Sequence, residues 1–62
     1  MREVVYHLLL LDARGSVIEA HAASLESDQA ALAHARRLGA PSHCLVVEVW
    51  EDNRKVGSIQ RR

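Results

Sequence analysis

The sequence contains no phenylalanine, and Tyr6 and Trp50 are its only large aromatic residues. That removes the stacking platform on which single-strand nucleic-acid binders rely. Cys44 is the only cysteine, so no disulfide within the chain can staple a small core, and the composition fits a reducing compartment better than an oxidising one. Neither charge sign is in excess. Eight Lys and Arg balance eight Asp and Glu, which argues against non-specific binding to nucleic acid or to an anionic membrane surface. The longest apolar stretch, Val4 to Leu11, falls well short of the ~20 residues of a membrane-spanning helix. No basic lead, apolar core and small-residue cleavage site open the chain, and the expected location is the cytoplasm. Glycine and proline are scarce, at three and one, so each marks a specific turn or break rather than a disordered linker.

With 48% hydrophobic residues in 62, the sequence specifies one small globular domain, residues 1–62, with marginal stability for its size. Val4 to Leu11 organises it. As a strand it places Tyr6, Leu8 and Leu10 on one face and Val5, His7, Leu9 and Leu11 on the other. Both faces are largely apolar, which suits the interior of a sheet.

Asp12-Ala13-Arg14-Gly15 follows and fits a type I turn with glycine in the left-handed region, the usual three-residue hairpin loop with a bulge. The expected register pairs Asp12 with Ser16, Leu10 with Ile18, Leu8 with Ala20 and Tyr6 with Ala22. On the other face it pairs Leu11 with Val17, Leu9 with Glu19 and His7 with His21. Ser27 then caps a helix, with Ser24 the alternative, and Asp28 in its first turn suits the positive end of the helix dipole. Arg36 and Arg37 occupy the last turn. Gly39 is expected to supply a left-handed terminator, and Pro41 prevents continuation. The inner helix face is Ala31, Ala35 and Leu38.

A third strand is expected over Ser42 to Glu51, with Leu45, Val47 and Val49 inward and Cys44, Val46, Glu48 and Trp50 outward. Asp52-Asn53 turns the chain, and Lys55 to Gln60 returns as a fourth strand. A two-residue loop would pair Val49 with Val56, and a three-residue loop would pair Val47 with Ile59. Gly57 marks a bulge. The plan is an α+β fold: a four-stranded antiparallel sheet, β-β-α-β-β in order 2-1-3-4, with one helix across one face. Order 1-2-4-3 would leave the most apolar strand at an edge. The expected core is Tyr6, Leu8, Leu10, Ile18, Ala31, Ala35, Leu38, Leu45, Val47 and Val49.

The order Tyr-x-Leu-x-Leu-x-Asp-x-x-Gly, an alanine-rich helix, then Val-Glu-Val-Trp-Glu-Asp-x-Arg-x-Val is similar to a group of very short bacterial proteins, found mainly in alpha-proteobacteria. The matching residues are Tyr6, Leu8, Leu10, Asp12, Gly15, Ala31, Ala35, Glu48, Trp50, Arg54 and Val56. The resemblance spans nearly the whole chain and supports the same fold plan. It implies no activity, since none is known for the group.

Function is less legible than fold. The open sheet face is expected to carry Leu9, Leu11, Val46 and Trp50 with His7 and His21. Apolar patches of that kind mark interfaces, and a chain this small gains stability by self-association. A homodimer through that face is the expected assembly; an unidentified protein partner is the alternative occupant. A second class is nucleic-acid binding through Arg36, Arg37, Arg61 and Arg62, although arginine in a last helical turn is explained by the dipole alone. A third is a metal site from His7, His21, Cys44 and Glu48, the residue types that bind transition metals; no close pair such as Cys-x-x-Cys accompanies them. Adjacent His43 and Cys44 would point apart on a strand, and no glycine-rich phosphate loop leads into the helix. Neither catalysis nor a cofactor is expected.

Overall fold

Strand β1, Val4–Leu11, lies inside the sheet, with β2, Val17–Leu25, on one side and β3, Val46–Glu51, on the other. The structure, a computed structural model, describes residues 3–61. Strand β4, Arg54–Gln60, completes the order β2-β1-β3-β4, with every neighbour antiparallel. Helix α1, Asp28–Arg37, crosses one face and leans on β4 and β3 more than on β2. The α+β plan and its strand order are those expected from the apolar character of β1.

The first turn forms as its residues require. Gly15 takes a φ of 83°, its N–H donates to the Asp12 carbonyl, and the Asp12 carboxylate accepts from the N–H groups of Arg14 and Ser16. The Asp12 N–H donates to the Ser16 carbonyl, and Leu11 pairs with Val17.

Beyond that point the register departs from expectation. A bulge between Leu10 and Leu11 inserts Ile18, so that Leu10 pairs with Glu19, Leu8 with His21, Tyr6 with Ala23 and Val4 with Leu25. Directly paired residues share a face, so β2 presents Ala23 and Leu25 to the helix side instead of Ala22 and Ser24. Ile18, Ala23 and Leu25 all pack against the core. The unbulged register would have turned Leu25 away from it. Glu19 and His21 come to the helix side as a consequence. They sit at an edge that α1 hardly covers, stay exposed, and bond each other at 3.0 Å.

Ser27 caps α1, its Oγ accepting from the Ala30 N–H. The C-terminus corrects the expected glycine stop. Gly39 is not left-handed; Leu38 turns extended instead, with φ −63° and ψ 128°, and its side chain packs on the core. The Arg61 guanidinium donates to the freed Leu38 carbonyl.

Strand β3 begins at Val46, later than expected. Pro41 to Cys44 form a turn, closed by the Cys44 N–H on the Pro41 carbonyl. The turn breaks the in-out alternation. Cys44, expected on the open face, is buried in the core, and Leu45, expected inside, is only half-buried. Leu45 holds its place through its backbone, donating to the Leu11 carbonyl and accepting from the Arg61 N–H. In the second hairpin the Val47–Ile59 pairing forms and the Val49–Val56 pairing does not, Val49 facing Gly57 instead. Asp52-Asn53 is a two-residue loop with Asp52 at a φ of 53°, yet Val47 pairs with Ile59, because a bulge after Trp50 and Lys55 absorbs Val56. Gly57 then lies under the helix: a Cβ there would stand 3.2 Å from Leu32 Cδ2.

Tyr6, Leu8, Leu10, Ala31, Ala35, Cys44, Val47 and Val49 form the buried core, with Ile18 and Leu38 partly buried against it. Leu8→Ala is expected to lower stability by about 2–5 kcal/mol, the range for emptying a packed leucine site, read from urea unfolding. Gly57→Val should lower it by about 1–3 kcal/mol through overpacking. Adding Leu32→Ala should recover part of that loss, because the clash partner is gone; strictly additive effects would place Leu32 elsewhere.

Candidate functional site

The face of the sheet away from α1 holds most of the candidate site. Pairing alternates faces along each strand, and the β1 residues on this side are Val5, His7, Leu9 and Leu11. Across β3, His7 meets Trp50, Leu9 meets Glu48 and Leu11 meets Val46. Across β2, His7 meets Ala22, Leu9 meets Ala20 and Leu11 meets Val17. Val5 and Val17 are half exposed, at 50% and 53%, while Leu9, Val46 and Trp50 are partly covered and Leu11 is buried. The surface thus sets Leu9, Leu11, Val46 and Trp50 around His7 and Glu48, bordered on the β2 side by alanines.

His21 is not part of this face. The Ile18 bulge turns it to the helix side, where it pairs with Leu8 rather than with His7. The two imidazoles lie on opposite faces. The same displacement breaks the metal candidate: His7 and Glu48 share the open face, His21 is on the other, and Cys44 is in the core with its thiol donating to the Val46 carbonyl. Among the described residues no group of three or more His, Cys, Asp and Glu is placed to hold a metal ion.

Glu48 is the one acid in the middle of the open face. Its carboxylate accepts from Trp50 Nε1 at 3.0 Å and from Lys55 Nζ at 3.4 Å. The indole N–H, with Lys55 adding to it, holds the Glu48 carboxyl below its ordinary range. Trp50 itself is only partly exposed.

A second polar cluster stands on the helix side, and sequence reasoning missed it. Asp28, in the first turn of α1, takes both terminal nitrogens of Arg54 at 3.0 Å and the Tyr6 hydroxyl at 2.8 Å. Arg54 also donates from Nε to Glu51 at 3.1 Å, and its Nη2 contacts the same carboxylate oxygen. The cluster joins the helix N-terminus to the β3-β4 hairpin and to β1. The only signal in the sequence was Asp28 itself, which the helix dipole already explained. Arg54 holds the Asp28 carboxyl below its ordinary range, with the Tyr6 hydroxyl helping. The bond to Asp28 raises the Tyr6 phenol, and burial adds to the shift.

Of the four candidate arginines, Arg36 and Arg61 come together. With Ile59 and Gln60 they line a depression of about 400 Å³ beside the end of the helix. Its lining has no carboxylate, imidazole or nucleophile. Arg61 is engaged with the Leu38 carbonyl, Arg37 is exposed, and Arg62 lies outside the described residues. No helix among the described residues is long and apolar enough to cross a membrane. No known protein family, curated protein or solved structure matches the chain.

These placements set a pH dependence. Asp28 and Glu48 hold their protons less tightly folded than unfolded. Their contribution is therefore complete above the ordinary carboxylate range near ~4 and is lost as pH falls through the lower folded values. Tyr6 has the opposite sign: its contribution is present below the ordinary phenol value near ~10 and is lost as pH rises through the raised one. The urea midpoint should hold through neutral pH and fall in acid. Asp28→Asn should lower the neutral plateau and shrink the acid fall. An acid limb unchanged in Asp28→Asn would show that Asp28 carries none of it.

Proposed function

We propose that the protein is a small non-catalytic assembly module whose open sheet face binds a second copy of the chain. The observation that carries this reading is the run of Leu9, Leu11, Val46 and Trp50 across adjacent strands, with half-exposed Val5 and Val17 at its margins. These apolar residues, interrupted only by His7 and the paired Glu48, form a candidate interface, and a two-fold contact uses one self-complementary patch on both partners. Three features support a second copy as the occupant. The chain has no net charge, so two copies do not repel. Glu48 is already paired with Trp50 and Lys55, so covering it strands no bare carboxylate. Ala20 and Ala22 leave room beside Leu9 for a partner's larger side chains. Trp50 is the proposed anchor, since tryptophan is enriched among residues that dominate interface energy. The likeness to the short alpha-proteobacterial proteins is compatible with this reading and adds no chemistry to it.

A second reading is contact with nucleic acid at the depression lined by Arg36 and Arg61. It calls for binding that falls steeply with salt, and a chain that binds no nucleic acid at low salt rules it out.

Sedimentation equilibrium at micromolar concentration tests the face-to-face contact. Leu9→Glu and Trp50→Ala are each expected to halve the wild-type particle mass while far-UV circular dichroism stays unchanged. A mass that neither substitution alters rejects this contact, and a wild type of single-chain mass rejects self-assembly.

A further inference from the structure

The sheet has two edges, and they are built differently. Strand β4 opens with Arg54 and Lys55, is interrupted by the bulge at Val56, and carries Gly57 in its middle. Charge, bulge and glycine are ordinary devices that keep an edge from pairing with another strand. Strand β2 lacks them over most of its length. It is nine residues long, its bulge is confined to the Val17–Ile18 end, and Glu19 to Leu25 runs regularly against β1. That run contains no proline, glycine, lysine or arginine. Ala20, Ala22 and Ser24 on the open face are small and exposed, and Glu19 and His21 on the helix side are exposed too. The outward N–H and C=O groups of β2 are thus open to another strand.

We infer that the outer edge of β2 pairs antiparallel with β2 of a second copy, about a two-fold axis normal to the sheet at Ala22. An antiparallel edge pair related by a two-fold axis sets residues of the same face opposite each other, so the axis must pass through a residue position. Centred on Ala22, the pairing uses the whole regular run. Glu19 then opposes Leu25, Ala20 opposes Ser24, His21 opposes Ala23, and Ala22 opposes itself. No like charges meet. Centred on His21, two imidazoles would face each other. Centred on Ala20, the pairing would run into the Ile18 bulge.

A two-fold axis normal to the sheet keeps both helices on one side and both open faces on the other. The four-stranded sheet doubles in width, and the apolar face becomes continuous across the pair. The edge contact is independent of the face-to-face contact proposed above. With the edge alone the particle holds two chains; with both contacts it closes at four where the two axes intersect.

The test uses Leu9→Glu protein, in which the face-to-face contact is removed, with Trp50→Ala as the replacement background if Leu9→Glu does not fold. Sedimentation equilibrium should give a two-chain particle. Adding Ala22→Lys sets two ammonium groups together at the axis and should reduce it to one chain. Adding Ala22→Cys instead should give a disulfide-linked two-chain band under mild oxidation; native Cys44 is buried and does not compete. A single-chain mass for Leu9→Glu overturns the edge contact. So does a two-chain particle that Ala22→Lys leaves intact, or one that Ala22→Cys fails to cross-link. If Leu9→Glu and Trp50→Ala leave the wild-type mass unchanged, it is the face-to-face reading that fails; loss of the particle on Ala22→Lys then still supports the edge.

Discussion

A helix whose fully buried residues are both alanine settles close on its sheet, and much of this structure follows from that approach. Ala31 and Ala35 are fully buried, which brings α1 close to the sheet but gives it a narrow footprint. Larger side chains would have held the helix further off and spread it over more strands. The close approach sets a demand on β4, met by Gly57 beneath Leu32. It also leaves the Glu19–His21 part of β2 uncovered, while Ala23 and Leu25 further along pack against the core. Glu19 and His21 remain in water although both point to the helix side.

Because the helix contributes little area, the strands supply the core, and both bulges serve that end. The bulge at Ile18 brings Leu25 and Ala23 to the core side, and the bulge at Val56 lets Val56 and Ile59 both pack against the core. Besides Ala31, Ala35 and the flanking Leu32 and Leu38, the helix has a polar tie. Asp28 provides it, joining the first turn of α1 to Arg54 in the second hairpin and to Tyr6 in β1. At its other end the extended Leu38 packs inward while Arg61 takes its carbonyl. The helix is therefore fastened at both ends, to β1 and the second hairpin at its start and to the chain just after β4 at its end.

The open face has the complementary character. Its one central acid is bonded within the face, by Trp50 and Lys55, so the surface behaves as apolar although Glu48 lies in it. The alternation of β1 and β3 was enough to place His7, Leu9, Leu11, Val46 and Trp50 there. It was not enough for His21, whose side depended on whether a residue is inserted opposite Leu10. A bulge adds one residue and inverts every side chain after it, and a hydrophobic pattern as shallow as Ala20-His21-Ala22-Ala23 does not signal it. Cys44 was misplaced for a related reason: the Pro41–Cys44 turn begins the strand later and restarts its alternation.

By itself the sequence determined the elements, the strand order and the first turn, because those rest on local chemistry and on the need to bury β1 on both sides. Asp12 and Gly15 shape one loop, Ser27 caps one helix, and the run from Val4 to Leu11 belongs inside a sheet. Only the tertiary structure decided the registers, the fate of Glu19 and His21, and the Asp28–Arg54–Tyr6 tie. Those depend on how closely an alanine-faced helix settles on the sheet and on which side chains its narrow footprint can reach. That is a property of two surfaces in contact, which no single stretch of the chain carries.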